Sequence, residues 1–451
     1  MSSNDLHTTH TAANLKALEG TPIDSTADST SIHPPRTSPF GPEPGGGPAV
    51  TSTVAPSGAR ERLISLDVFR GMTVAGMLLV NNPGTWSAIY PPLGHAAWHG
   101  WTPTDLIFPF FLFIVGITTH LSLSSRRARG DSDADLVKQI VRRGSIIFIL
   151  GLLMSWFPFY QWGTIEGMPD PSFWDRFVYR LERLRILGVL QRIGLVYIFA
   201  ALLTLRTSLR QQVAIVAVLL FAYWAVMTLI PLPGKEAGLA MLAVPAETMQ
   251  AYVDQLILGT NHIWSGSRTY DPEGILSTFP AIGTAMLGVM AGRWIRQQRP
   301  LVERIAALAS AGCLAMVIGL MWNWVFPINK NIWTSSYVVF TAGMACATLA
   351  TIMWIIEEHN VRWWTKPFVI YGVNPIVAFV GSGVLARILY TLWKVPYEGV
   401  PTPMEAVIYR SVFEPVFPDP RMASFAMAFA TVVFWFGILA ILYRRRIFLK
   451  V

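Results

Sequence analysis

Ten stretches of the chain are almost continuously apolar, at about residues 66–82, 105–124, 144–160, 186–205, 213–232, 277–294, 305–326, 334–356, 367–391 and 424–443. Each is about 17–25 residues long, the length an α-helix needs to cross the hydrocarbon core of a bilayer. The pattern predicts an all-α fold, a polytopic membrane helix bundle of about ten transmembrane helices. Residues 1–59 break the pattern: they are rich in Ser, Thr, Pro, Gly and Asp and include the run "PFGPEPGGGPAV". They lack the apolar content to offset the entropy of ordering and read as a disordered tail. No basic start leads into an apolar run with a small-residue cleavage site, so the tail is not a signal peptide and the first helix serves as insertion signal. The membrane domain is expected over 60–451.

Composition sharpens this reading. Of the 451 residues, 53% are hydrophobic and 14% charged, against roughly a quarter charged in soluble domains. The formal charge of +8 does not point to nucleic acid, because the basic residues lie in short clusters between apolar runs. With the tail placed inside, the inward connectors hold more than twice as many Lys and Arg as the outward ones, and the connector 82–104 holds none. The positive-inside rule then puts both termini in the cytoplasm. Cys313 and Cys346 fall inside apolar runs and read as small packing residues. There is no phosphate-binding loop and no dinucleotide fingerprint, which argues against a nucleotide-driven pump. Nor is an internal repeat of the kind common in secondary transporters visible.

The unusual polar residues concentrate between Asp67 and Asp105, in "SLDVFRG", "VNNPG" and "GHAAWHGWTPTDLIFPFFLFIVG". Polar groups at or near lipid depth are functional candidates unless they are partnered. Asp67 and Arg70, three apart, suit a structural pair at the inner end of the first helix. His95 sits on the outward connector, with Asn81 and Asp105 at the ends of the flanking spans. A neutral imidazole can take a proton from a nucleophile or itself accept an acyl group, and a carboxylate beside it holds its tautomer. An amide such as Asn81 can hold a carbonyl or its developing oxyanion. The three together form an acyl-transfer constellation; the alternative is an interfacial histidine satisfied by loop carbonyls. His95 and His99 have a zinc-ligand spacing, but Gly94, Gly100 and Pro103 oppose a regular helix there, and no metal is expected.

Further along, Asp271 and Glu273 precede the sixth span, either as substrate-binding carboxylates or as charges on a helix start. Lys330, in the outward segment "INKNIW", departs from the inside bias, so its charge is a substrate-binding candidate. "LERLRILGVLQRIG" carries Arg185, Gln191 and Arg192 toward or into the fourth span. Arg192 needs a partner or an aqueous cavity at that depth; a buried arginine either holds coenzyme phosphates or is paired structurally. Asn374, followed by Pro375, interrupts the ninth span and is expected to line a cavity, because freed backbone groups need polar company.

The runs "RLISLDVFRGMTVAGMLLVNNPG", "HAAWHGWTPTDLIFPFFLFIVG", "RILGVLQRIG", "YDPEGILSTFPAIGTAMLGVMAG" and "INKNIWTSSYVVFTAG" resemble the heparan-alpha-glucosaminide N-acetyltransferase family and its bacterial relatives, over essentially all of 60–451. The resemblance implies a transmembrane acyltransferase that moves an acetyl group from cytosolic acetyl-CoA to an amino sugar across a bacterial inner membrane. It implies His95 as the central catalytic residue with Asn81 beside it. His99 stands where the family block has an asparagine. Acetyl-CoA, an amino-sugar acceptor of a glycan or glycolipid and the lipid bilayer are the expected partners, with Arg185, Gln191, Arg192 and Asn374 as coenzyme-binding candidates. Homo-oligomerisation stays open, and so does a transporter or flippase of sugars as an alternative.

Overall fold

The computed structural model describes residues 63–449; the expected tail lies outside the described residues. Among the described residues fourteen α-helices follow in chain order. They are α1 (Ile64–Asn81), α2 (Ile107–Arg127), α3 (Asp133–Trp156), α4 (Phe173–Leu181), α5 (Val189–Arg206), α6 (Leu209–Leu229) and α7 (Met249–Leu258). The remainder are α8 (Ile275–Ile295), α9 (Leu301–Trp322), α10 (Ser335–Met353), α11 (Thr365–Val373), α12 (Pro375–Arg387), α13 (Met404–Ile408) and α14 (Pro420–Arg444). One antiparallel hairpin, β1 (Lys394–Tyr397) with β2 (Val400–Pro403), turns at Glu398 and Gly399. Both turn residues have positive φ, 51° and 80°, the backbone that a two-residue hairpin loop requires.

Among the described residues nine helical segments are long and apolar enough to cross a membrane. They coincide with nine of the ten apolar runs. The remaining run, 144–160, forms the second half of α3. That helix is 24 residues long, or roughly 36 Å at 1.5 Å per residue, but its first half carries Asp133, Asp135, Lys138, Arg142 and Arg143. The bundle is therefore a polytopic helical one, with α3 packed lengthwise on α5.

Pairs of neighbouring helices build the interior: α2 lies along α8, α9 along α10 and α1 along α11. Lipid tails are as apolar as leucine, so helices associate through close packing and not through water exclusion. Gly116 and Gly288 show this. A Cβ on Gly116 would overlap the carbonyl of Ala285, and one on Gly288 the carbonyl of Phe113, so α2 and α8 touch backbone to backbone. Leu112, Phe113, Ile114 and Ile117 of α2 are fully buried against them.

The expected break at Asn374 is present: Asn374 has φ −124° and ψ 54° between α11 and α12, and Pro375 opens α12 where its missing N–H costs nothing. The expectation that Asn374 lines a cavity needs correction. Its side-chain amide donates to the carbonyl of Ile447 at 3.0 Å, and its Oδ1 accepts from the N–H of Leu449 at 3.0 Å. The polar company at this break comes from the segment after α14.

Candidate active site

The connector between α1 and α2 brings His95 to the start of α2. Pro103 stiffens that start, and the stretch Thr102-Pro103-Thr104-Asp105 folds as a capping box. Asp105 is 1% exposed, and its Oδ2 accepts from the N–H of Ala96 at 3.0 Å, the N–H of Thr102 at 3.0 Å and the Thr102 hydroxyl at 3.1 Å. Tyr337 of α10 donates its hydroxyl to the Asp105 carbonyl. These bonds fix the carboxylate and leave Oδ1 to His95 Nδ1, 2.7 Å away. A carboxylate only accepts, so Nδ1 carries a proton, and in the neutral ring Nε2 is the nitrogen with the lone pair. The side chain of His95 is 47% exposed, which makes it a reachable group on a buried support.

Lys330 completes this cluster from the segment between α9 and α10. Asn329 Oδ1 accepts from the N–H groups of Asn331 and Ile332 at 2.8 and 3.2 Å, and the Thr334 hydroxyl accepts from the N–H of Asn329 at 3.0 Å. Trp333, 1% exposed, is held at φ 48° with its indole N–H on Thr284 Oγ1 at 3.1 Å. A bulky residue at positive φ is a strained conformation that only surrounding structure maintains. The rigid turn sets Lys330 Nζ 2.9 Å from His95 Nδ1, 3.1 Å from Nε2 and 3.5 Å from Asp105 Oδ1. Near-equal distances to both nitrogens of one ring place the ammonium over the imidazole and not on the axis of either lone pair. Burial lowers the Lys330 pKa from its ordinary value, against the opposing pull of Asp105 and Glu273. The same turn holds the histidine connector: Gly100 N–H donates to the Ile328 carbonyl at 2.7 Å, and the Asn329 amide donates to His99 Nδ1 at 3.3 Å.

A second cluster joins Arg185, Asp271 and Glu273. Arg185 Nε donates to Asp271 Oδ2 at 2.8 Å and Nη2 to Asp271 Oδ1 at 2.5 Å, and Nη2 also reaches Glu273. Burial alone would raise the Glu273 carboxyl, but Arg185, Arg192 and Lys330 hold it below its ordinary value. Burial outweighs Arg185 at Asp271 and raises that carboxyl. The charges of Arg185, Asp271 and Glu273 are thus largely met by one another, which leaves them as a buried support more than as free ligands. Arg192 is fully buried; it donates to Ser277 Oγ and to the Gly274 carbonyl and lies 5.2 Å from the ring centre of Trp333.

A cavity of about 800 Å³ opens among α1, α3, α5, α12, α13 and α14. Of the candidate residues, Asn81, Arg185 and Gln191 line it; His95, Asp105, Lys330, Arg192 and Asn374 do not. Asn82, which caps α1 by donating to the Leu78 carbonyl at 2.8 Å, lines the cavity beside Asn81. Among the described residues no hydrogen bond joins Asn81 to His95. The structure thus brings His95, Asp105 and Lys330 together, and places Asn81 with the cavity. Sequence reasoning missed Arg387 and Glu405 on the cavity wall, which carry no motif. It also missed the role of Thr102, although a threonine three residues before an aspartate at a helix start is a legible capping signal. No three His, Cys, Asp or Glu side chains converge as a metal site among the described residues.

Residues 62–321 match the family described as heparan-alpha-glucosaminide N-acetyltransferase, catalytic. The chain is similar to the heparan-alpha-glucosaminide N-acetyltransferase of Mus musculus, 30% identical over 386 residues that cover 75% of this chain and 56% of the mouse protein. It is also similar to that of Homo sapiens, 29% identical over 427 residues, covering 84% of this chain and 60% of the human one. The chain thus spans a little over half the length of these curated relatives.

Proposed function

This chain belongs to the heparan-alpha-glucosaminide N-acetyltransferase catalytic family, and from that membership we propose that it is a membrane-embedded N-acetyltransferase that takes the acetyl group of acetyl-CoA to an amino sugar. The observation that carries the reading is the buried Asp105 carboxylate on His95 Nδ1 at 2.7 Å. In the neutral ring it fixes the tautomer with the lone pair on Nε2 of a half-exposed imidazole, the form a general base or acyl acceptor needs.

In the proposed step the sugar amine attacks the thioester carbonyl while His95 Nε2 takes the amine proton. An N–C bond forms, the C–S bond breaks, and the proton passes from His95 to the departing thiolate. Asp105 stabilises the transient imidazolium, as the carboxylate does in a catalytic triad. Lys330, facing the ring, supplies positive charge where the tetrahedral intermediate becomes an oxyanion. A route through acetyl-His95 uses the same lone pair in two steps. The basic bias of the connectors supports a cytoplasmic donor side and cytoplasmic termini, in a bacterial inner membrane with the acceptor outside.

The test is release of free CoA thiol by purified protein in lipid nanodiscs, given acetyl-CoA and glucosamine. Turnover that His95→Ala eliminates, while the variant stays monodisperse, is the expected result. An unchanged rate in that variant would sink the assignment. Saturable sugar movement across vesicles with no thiol released would favour a transporter instead.

A further inference from the structure

The 800 Å³ cavity lies at the end of the bundle where α1, α3 and α12 finish and α5 and α14 begin, the same end at which α2 begins with Asp105. Its wall is amphiphilic. Met77, Leu78, Leu190, Phe379, Met427 and Trp435 form an apolar part, and Asn81, Arg185, Gln191, Arg387 and Glu405 form a polar one. Exposed lining side chains include Trp86, 64%, in the connector after α1, and two large ones in helical segments: Tyr390, 63%, just beyond α12, and Phe434, 53%, in the middle of α14. The latter two belong to membrane-spanning segments that bury little of their surface. Phe434 lies fourteen residues into α14, roughly 20 Å along its axis, so this side of the cavity meets lipid and not water.

Charge decides what the polar end suits. Two lining arginines stand there, but Arg185 is already held by Asp271 and Glu273. Arg387 donates to the Gly383 carbonyl at 3.2 Å, and Glu405 has no ion-pair or hydrogen-bond partner among the described residues. Arg180 lies near Arg387, yet its guanidinium is engaged by the carbonyls of Ser155, Trp156 and Phe157. With Arg185 committed to Asp271 and Glu273, which do not line the cavity, Arg387 is the one lining cation left beside Glu405 among the described residues. A single cation does not make a site for the several phosphate charges of a coenzyme nucleotide, which call for uncompensated Arg or Lys. The polar end does suit an amine-bearing head with hydroxyls, which Glu405, Asn81 and Gln191 can bond. An apolar chain behind such a head fits the rest of the wall and enters from the bilayer between α12 and α14.

We propose that this cavity binds a lipid-linked amino sugar ahead of transfer, with its hydrocarbon chain between α12 and α14 and its sugar head at Asn81, Gln191 and Glu405. From there the amine moves to His95, outside the cavity lining, to react. Resting on the acetyltransferase reading above, the proposal makes the acceptor a membrane-borne amphiphile and not a free sugar. On this proposal the acetyl-CoA nucleotide binds outside the cavity.

The test is an acceptor series in nanodiscs: glucosamine, butyl, octyl and decyl glucosaminide, each followed for acetyl-CoA-dependent thiol release and, without acetyl-CoA, for binding by calorimetry. The expected result is a KM and a dissociation constant that each fall at least tenfold from glucosamine to the decyl compound. Ala386→Phe and Ala430→Phe, which fill the cavity from two different walls, should each abolish most of that chain-length dependence. The two substitutions guard against misfolding of one, and the wild-type series needs neither. Chain-dependent binding without thiol release would overturn the acetyltransferase reading and leave the cavity assignment standing. Turnover with no chain-length dependence, or displacement of the decyl compound by CoA from the same site, would overturn the cavity assignment alone.

Discussion

His95 Nδ1 lies 2.7 Å from Asp105 Oδ1, a half-exposed imidazole held by a carboxylate that is 1% exposed and fastened by three further donors. Removing the negative charge while keeping the shape separates positioning from electrostatics. Asp105→Asn should lower kcat on the order of 10³-fold or more, because the amide favours the wrong tautomer and cannot stabilise an imidazolium. Its KM for acetyl-CoA should change little. Steady-state kinetics beside a thermal unfolding trace decide this; a kcat within threefold of wild type removes Asp105 from the proposed mechanism.

Lys330 gives a prediction in pH. Burial favours its neutral form, so it should lose its proton below the ordinary lysine range. The folded state binds that proton less tightly than the unfolded one, so protonation costs stability at lower pH, and the cost fades as pH rises from the folded pKa to the ordinary lysine value. If the ammonium acts in the reaction, kcat/KM falls on the alkaline side at that same pKa. Lys330→Arg should push this limb upward, and Lys330→Met should eliminate it along with most of the rate. An alkaline limb identical in all three proteins would show that Lys330 is structural.

Arg185 is predicted to matter for folding. With Arg185→Ala, Asp271 and Glu273 lose their charged partner inside the protein, and loss of one partner from a buried ion pair costs about 3–5 kcal/mol. The triple variant Arg185→Ala, Asp271→Asn, Glu273→Gln should recover much of the lost stability. Thermal midpoints in nanodiscs read both; a single variant as stable as wild type contradicts the charge network.

Asp254 on α7 accepts from the N–H groups of Asp271 and Ile275 at 3.1 and 2.9 Å, yet burial pushes its carboxyl up to about 6. The folded protein therefore binds a proton there that the unfolded chain, with a pKa of about 3.9, has already released. Stability should fall as pH rises from about 4 to about 6 and then level off. Asp254→Asn should flatten that part of the profile in a pH series of unfolding midpoints.

Gly288→Leu should disrupt the bundle. Overpacking a well-filled interior costs typically 1–3 kcal/mol, and here the new Cβ meets the Phe113 carbonyl, a backbone atom that cannot rotate away. Loss of monodisperse protein is expected for Gly288→Leu but not for Gly437→Leu, where a Cβ meets nothing.

The helices were legible because the bilayer imposes a length and an apolar composition that are written residue by residue. Nine runs coincide with span-length apolar helices, and the break at Asn374 followed from the proline behind it. His95 and Asp105 were legible as a pair because one short connector joins them, and local chain geometry does most of the work of bringing them together.

The grouping of distant residues was a different matter. Lys330 over His95, Arg185 on Asp271 and Glu273, and Asn374 on the segment after α14 join positions separated by 73 to 235 residues. Nothing in the apolar pattern says which helix lies beside which, since every lipid-facing or buried face looks alike in hydropathy. Side-chain packing of α2 on α8 and the rigid turn before α10 settle those neighbours, and with them which charges are already paired and which face a cavity. The amino-acid order thus carries the spans and the histidine, while the charge partners and the cavity wall arise when the helices pack, because electrostatic pairing depends on distance in space and not along the chain.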